Sequence, residues 1–115
     1  MLKVALVAFQ GELMCFAHVL LNALDLRDRG GEVIIIIEGQ ATKLLQDLNR
    51  PENAFHPLYG KTREAGLIEG VCRACATKTG SLAEAQAQGL RLLDDMSGHP
   101  SLGRYLEAGF TILTF

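Results

Sequence analysis

The hydrophobic positions fall into short unbroken runs separated by longer stretches with helical spacing. Lys3 to Phe9 reads Lys-Val-Ala-Leu-Val-Ala-Phe, and Glu32 to Glu38 reads Glu-Val-Ile-Ile-Ile-Ile-Glu. A run with no polar alternation suits a strand covered on both faces, as in a parallel sheet. Between these runs, Glu12 to Arg29 carries the period of a helix, and Gly30-Gly31 supplies a residue that tolerates positive φ just past its end. Strand, helix and strand in succession predict a right-handed crossover between parallel strands.

Further along, Ala41 to Leu48 is a second helix, stopped by Asn49-Arg50-Pro51, and a loop runs through His56-Pro57. Leu58 to Ala65 forms a short third helix, and Gly66 opens the strand Leu67 to Cys72. Ser81 with Glu84 three positions on is a capping-box pattern for another helix, closed by Gly89 before a short strand, Leu90 to Leu93. Pro100 at a helix start introduces Leu102 to Ala108, and Gly109 releases the terminal strand Phe110 to Phe115. Five strands alternating with helices predict an α/β domain over residues 1–115, with an open, mostly parallel five-stranded sheet covered by helices on both faces.

Composition narrows the class of protein. Hydrophobic residues make up 49% of the 115 and charged ones 21%, the balance of a chain with a packed core, which excludes a disordered or collagen-like chain. The formal charge of −2 comes from acidic and basic residues mixed along the chain, so no basic block suits nucleic acid. No apolar stretch approaches the ~18 residues of a membrane span, and the apolar start is broken at Gln10-Gly11-Glu12 without a signal-peptide cleavage pattern. Three cysteines, an odd number with two in a Cys-X-X-Cys pair, are no disulfide framework of a secreted protein. The expectation is a soluble cytoplasmic protein whose thiols are catalytic, redox-active or metal-binding.

Open parallel sheets bind ligands beyond the carboxyl ends of their strands. The residues just past those ends are Gln10 to Cys15, Gly39 to Thr42, Cys72 to Lys78 and Asp94 to Pro100, a set that includes all three cysteines and His99. Cys72 lies where a buried strand gives way to a turn and a short helix. Exposed amides there would stabilise a thiolate and lower the pKa, with Arg73 and Lys78 adding positive potential. The alternative is a small apolar residue closing the strand. Cys75 completes the Cys-X-X-Cys pair, a spacing that suits a disulfide, two ligands of one metal, or persulfide transfer with resolution. The run Ala-Thr-Lys-Thr-Gly after it is too short for a thioredoxin-like helix. A structural zinc would have to be assembled from Cys15, Cys72, Cys75 and His99, because no second such pair exists.

Cys15 and His18 lie one turn apart on the first helix, in a polar stripe with Asn22, Asp25 and Arg29. The remaining apolar arc is wider than one sheet contact needs, so part of it is expected to meet another subunit, with His18 a surface or interface residue. His99, in Met96-Ser-Gly-His-Pro-Ser101, either tunes a thiolate, binds a metal or caps the loop. His56 is assigned a structural role.

The segment Gly70-Val-Cys-Arg-Ala-Cys-Ala-Thr-Lys-Thr-Gly80, with the opening strand, the long first helix and the Gly31-Glu-Val-Ile strand, resembles the DsrE/DsrF-like family of small sulfur-relay proteins over nearly the full length. In that family a cysteine after the third strand is followed by a small-residue turn and, eight positions later, a glycine, the spacing of Cys72 and Gly80. The resemblance implies a flavodoxin-like three-layer fold, homo-oligomers that are often trimers or hexamers, and a persulfide carrier at Cys72. Cys75, Cys15 and His99 lie outside the family's general motif and suggest a subgroup with an added metal or dithiol function. Cys72 is thus expected to accept sulfane sulfur from a donor protein or small polysulfide and pass it to an acceptor, as a sulfurtransferase or carrier without a cofactor, with Cys75 as resolving thiol. The competing reading is a zinc-binding or structural oligomeric module using Cys15, Cys72, Cys75 and His99.

Overall fold

The computed structural model describes residues 1–115. Strands β1 (Lys3–Ala8), β2 (Glu32–Ile37), β3 (Ile68–Cys72), β4 (Leu92–Leu93) and β5 (Thr111–Thr114) pair in parallel throughout, in the order β4-β3-β2-β1-β5. β1 and β2 run in register from Lys3 opposite Glu32 to Ala8 opposite Ile37. Alternate residues point to opposite faces. Val4, Leu6, Ala8, Val33, Ile35 and Ile37 enter one core, and Ala5, Val7 and Ile36 the other. Both faces of these strands are covered, which is why neither run could carry polar alternation.

The first face is the thick one. Helix α1 (Leu13–Asp28) lays Phe16, Ala17, Val19, Leu20, Ala23 and Leu24 inward, and Tyr59 from α3 (His56–Glu64) meets Phe16 edge-on at 6.3 Å between ring centres. A 3-10 segment (Gly39–Leu44) running into α2 (Leu45–Leu48), then α4 (Arg73–Thr79) and α5 (Leu82–Ala87), complete this layer. The opposite face is held by α6 (Leu102–Glu107), whose Tyr105 packs with Ala5, Val7, Ile36 and Leu93. This division follows from chirality. The steps from β1 to β4 move one way across the sheet, so right-handed crossovers keep α1 to α5 on one side; the return from β4 to β5 puts α6 on the other. The result is a three-layer flavodoxin-like α/β fold.

Several element boundaries differ from the sequence expectation for local reasons. The helix expected over Ala41–Leu48 begins instead as a 3-10 turn at Gly39, and the third helix starts at His56 because Pro57 fits a first helical turn. Ser81 makes no capping hydrogen bond: its hydroxyl lies 3.1 Å from that of Thr79, while Glu84 accepts from Gln88 Nε2 at 2.9 Å. Ser101 caps α6 by accepting from the Arg104 N–H at 3.4 Å, so Pro100 lies one residue ahead of the cap and not in the first helical turn. The fourth strand shrinks from Leu90–Leu93 to two residues. There the backbones lie so close that a Cβ on Gly70 would stand 2.6 Å from the Arg91 carbonyl oxygen, so only glycine permits the pairing.

Candidate functional site

The chain leaves β3 toward the thick layer and leaves β4 toward α6. Adjacent parallel strands whose connections diverge in this way open a crevice at their carboxyl ends. Cys72 is the last residue of β3, and His99 sits in the connection after β4, so the crevice brings them together from positions 27 residues apart.

Each side chain is fixed by its own backbone. Cys72 is the N-cap of α4, and its Sγ accepts from the Cys75 N–H at 3.3 Å. Beyond β4, Ser97 and Gly98 both have positive φ, 51° and 91°, as a tight type I′ turn requires. Met96 and His99 close the turn with reciprocal backbone hydrogen bonds of 2.7 and 3.0 Å. The turn docks on α4 through the Ala74 N–H, which donates to the Gly98 carbonyl at 2.8 Å. His99 Nδ1 thereby stands 3.2 Å from Cys72 Sγ and 3.8 Å from Cys75 Sγ. The ligand atoms of Cys72, Cys75 and His99 all lie within 4.8 Å of one another. Behind them, buried Thr42 donates to the Gly39 carbonyl at 2.8 Å, and its hydroxyl meets that of Thr79 at 2.7 Å, tying the 3-10 segment to α4.

The two thiols differ in environment. Cys72 is 0% exposed, whereas Cys75 and His99 are half-buried. Burial is the largest cause pushing the Cys72 thiol up to about 12; the Cys75 thiol acts in the same direction, and the Cys75 amide opposes it. This reverses the expected lowering. One amide hydrogen bond does not offset the loss of water around a thiolate, and Arg73 supplies no compensation because it pairs with Asp94 at 3.6 Å. Lys78 is exposed.

Glu38, at the end of β2, was not singled out from the sequence. Its carboxyl is raised by burial, with the neighbouring His99 acting against the shift. The readable signal was a carboxylate closing an apolar strand immediately before a glycine. Cys15 does not join the Cys72, Cys75 and His99 group. It sits half-buried on α1, where His18 Nδ1 lies 2.9 Å from the Met14 carbonyl on an exposed face. The four-residue ligand set therefore reduces to three. His56 Nδ1 lies 2.9 Å from the Leu48 carbonyl, away from the cysteines. A cavity of about 700 Å³ opens near the amino ends of the strands, between Arg63, Ile68 and Arg91, and touches neither cysteine of the pair.

Two thiols facing one imidazole can exchange protons, undergo thiol exchange or chelate a soft metal. Fold and site together define a three-layer α/β protein with a dithiol–imidazole centre where two strand connections diverge. The chain belongs to the family of the "Uncharacterized protein MJ0733" of Methanocaldococcus jannaschii, to which it is 36% identical over an alignment covering 97% of this chain and 94% of that protein. An "Uncharacterized protein" of Archaeoglobus fulgidus is 44% identical over 36 residues, 31% of this chain and 97% of that relative. The chain matches no protein-family model. No helix is long and apolar enough to cross a membrane.

Proposed function

We propose that the protein is a sulfur-relay protein of the DsrE/DsrF-like kind, carrying sulfane sulfur on the Cys72–Cys75 pair. The observation that carries the reading is one imidazole nitrogen within 3.8 Å of both sulfurs of a Cys-X-X-Cys pair. The resemblance in spacing acquires a physical basis, because Cys72 caps the start of α4 and Gly80, at φ 77°, ends it. One short helix thus spans cysteine to glycine.

Burial favours Cys75, not Cys72, as the thiol that first meets a donor. The Cys75 thiolate, its proton passed to His99, attacks the terminal sulfur of a polysulfide. A Cys75–S–SH persulfide forms and the shortened polysulfide leaves as an anion. An acceptor thiolate that attacks the outer sulfur regenerates Cys75 with no net oxidation. Attack by Cys72 on Cys75 Sγ instead expels hydrosulfide and leaves a disulfide, which a reducing cytoplasm would return to the dithiol. Assembly with like subunits, as a trimer or hexamer, belongs to the same reading and is supported by exposed Phe9, Met14 and Met96 along the carboxyl edge.

The test is polysulfide loading of the reduced protein in the presence of a chelator, read by intact mass and peptide mapping. One added sulfur, roughly 32 Da, is expected on Cys75, accumulating in Cys72→Ser and absent in Cys75→Ser. No adduct on either cysteine, with both thiols reduced and titratable, would overturn the relay.

A further inference from the structure

We infer that Cys72, Cys75 and His99 form a three-ligand chelate for a zinc-class divalent cation, leaving a fourth coordination position free. The inference goes beyond the relay and does not rest on it: it needs the positions of three donor atoms, not a sulfur donor.

The geometry is close to what the ion requires. With zinc–sulfur bonds near 2.3 Å and zinc–nitrogen bonds of 2.0–2.1 Å, tetrahedral ligands stand about 3.5–3.8 Å apart. Cys72 Sγ and Cys75 Sγ lie 3.2 and 3.8 Å from His99 Nδ1. The two sulfur–nitrogen distances need to change by only a few tenths of an ångström, and the two sulfurs, no more than 4.8 Å apart, need to close by at most about 1 Å. Two sulfurs and one imidazole nitrogen are the donor types that zinc takes, and sulfur disfavours magnesium or calcium. The atoms are also held from independent directions, the sulfurs by β3 and α4 and the imidazole by the Ser97–Gly98 turn docked on Ala74. Little further ordering is then needed when the ion enters.

Three protein ligands with one open position is the pattern of zinc centres that bind a further small ligand, not of closed structural sites. Cys75 and His99 are the partly exposed members, so the free position lies on the crevice side, where Glu38 is the neighbouring carboxyl. Binding displaces the protons of both thiols and involves no oxidation: one cation enters and two protons leave. Because the ion would occupy both thiolates, zinc and sulfane sulfur compete for them, and zinc-loaded protein should resist polysulfide.

The reduced, metal-free full chain is titrated with zinc by calorimetry in two buffers of different ionisation enthalpy, and with cobalt(II) by absorption. One ion per chain, release of about two protons, thiolate-to-cobalt charge transfer and the intense visible bands of four-coordinate cobalt are expected. Changing even an outer-shell partner weakens binding about 10–100-fold, so Cys75→Ser and His99→Ala should each lose at least about tenfold, while Cys15→Ser binds as the parent does. Wild-type affinity no tighter than that of the folded Cys72→Ser/Cys75→Ser double variant would overturn the chelate, as would loss of binding in folded Cys15→Ser. Polysulfide loading under chelator reads the relay separately. Metal binding without an adduct leaves the chelate and removes the relay, and an adduct without metal binding does the reverse.

Discussion

Cys72 and Cys75 carry the same group three positions apart, yet burial gives them different environments. A thiol pushed up to about 12 is thiolate to only about one part in ten thousand at pH 8, against about one in ten for a thiol at the ordinary value of 9.0. Because Cys72 is also sealed from the reagent, iodoacetamide at pH 8 should modify half-buried Cys75 well before it, and the Cys72 rate should keep climbing above pH 10; peptide mapping over a pH series measures both. The same shift has a sign for stability. Below the ordinary value of 9.0 the group's contribution is fully present, and it is lost as pH rises from there toward about 12, because the unfolded chain ionises first. Cys72→Ser should flatten the fall in urea midpoint across that window. The sequence made Cys72, Cys75 and His99 legible because strand ends locate the edge of a parallel sheet. It pooled Cys15 with them because an edge position does not say which way a helix turns its third residue. Whether an amide or the surrounding apolar layer governs a thiol is also invisible until the packing is known.

At the scale of elements, the small Ser97–Gly98 turn positions the imidazole as β3 and α4 position the sulfurs. Gly98 at φ 91° has the Ala74 Cβ 3.3 Å from where its own Cβ would lie, so Gly98→Ala meets both a left-handed backbone and a near neighbour. A loss of about 1–2 kcal/mol is expected, read as a lower thermal midpoint, with His99 displaced from Cys72. Ser97→Gly should move the midpoint the other way, by several tenths of a kcal/mol or more, since φ 51° disfavours serine. Only the docking bond from Ala74 to Gly98 shows what the Gly-His-Pro run aims at. The unbroken apolar runs identified β1 and β2 well because burial on both faces leaves no other pattern. The shortening of β4 escaped because its length is set by how far Arg91 can approach Gly70, a tertiary matter. The capping box at Ser81 failed for a local reason, because Glu84 accepts instead from Gln88 one turn further along the same helix.

For the molecule as a whole, the two faces of the sheet are unequally protected. Five helices and a 3-10 segment cover one, while the other depends on the single short α6 and above all on Tyr105. Its ring lies over Ala5, Val7, Ile36 and Leu93, and its hydroxyl donates to Glu69 at 2.9 Å and accepts from Arg104 at 2.9 Å. Tyr105→Phe keeps the ring and loses the Glu69 bond, which should lower stability by about 1–2 kcal/mol. Tyr105→Ala uncovers the face and should lower it by about 3–5 kcal/mol. The second loss should also reach the dithiol. Asp95 joins the two regions, accepting from the Ser101 N–H at 3.1 Å and pairing with Arg104 at 3.1 Å, so α6 anchors the segment that carries His99. Hydrogen exchange at Met96 and His99, whose amides close the turn, should accelerate in Tyr105→Ala beyond the change in global stability and remain near the parent rate in Tyr105→Phe. Equal acceleration throughout the sheet would mean that α6 supports the fold alone. Acceleration concentrated in the turn would mean that the thin layer is also what holds the imidazole against the two sulfurs.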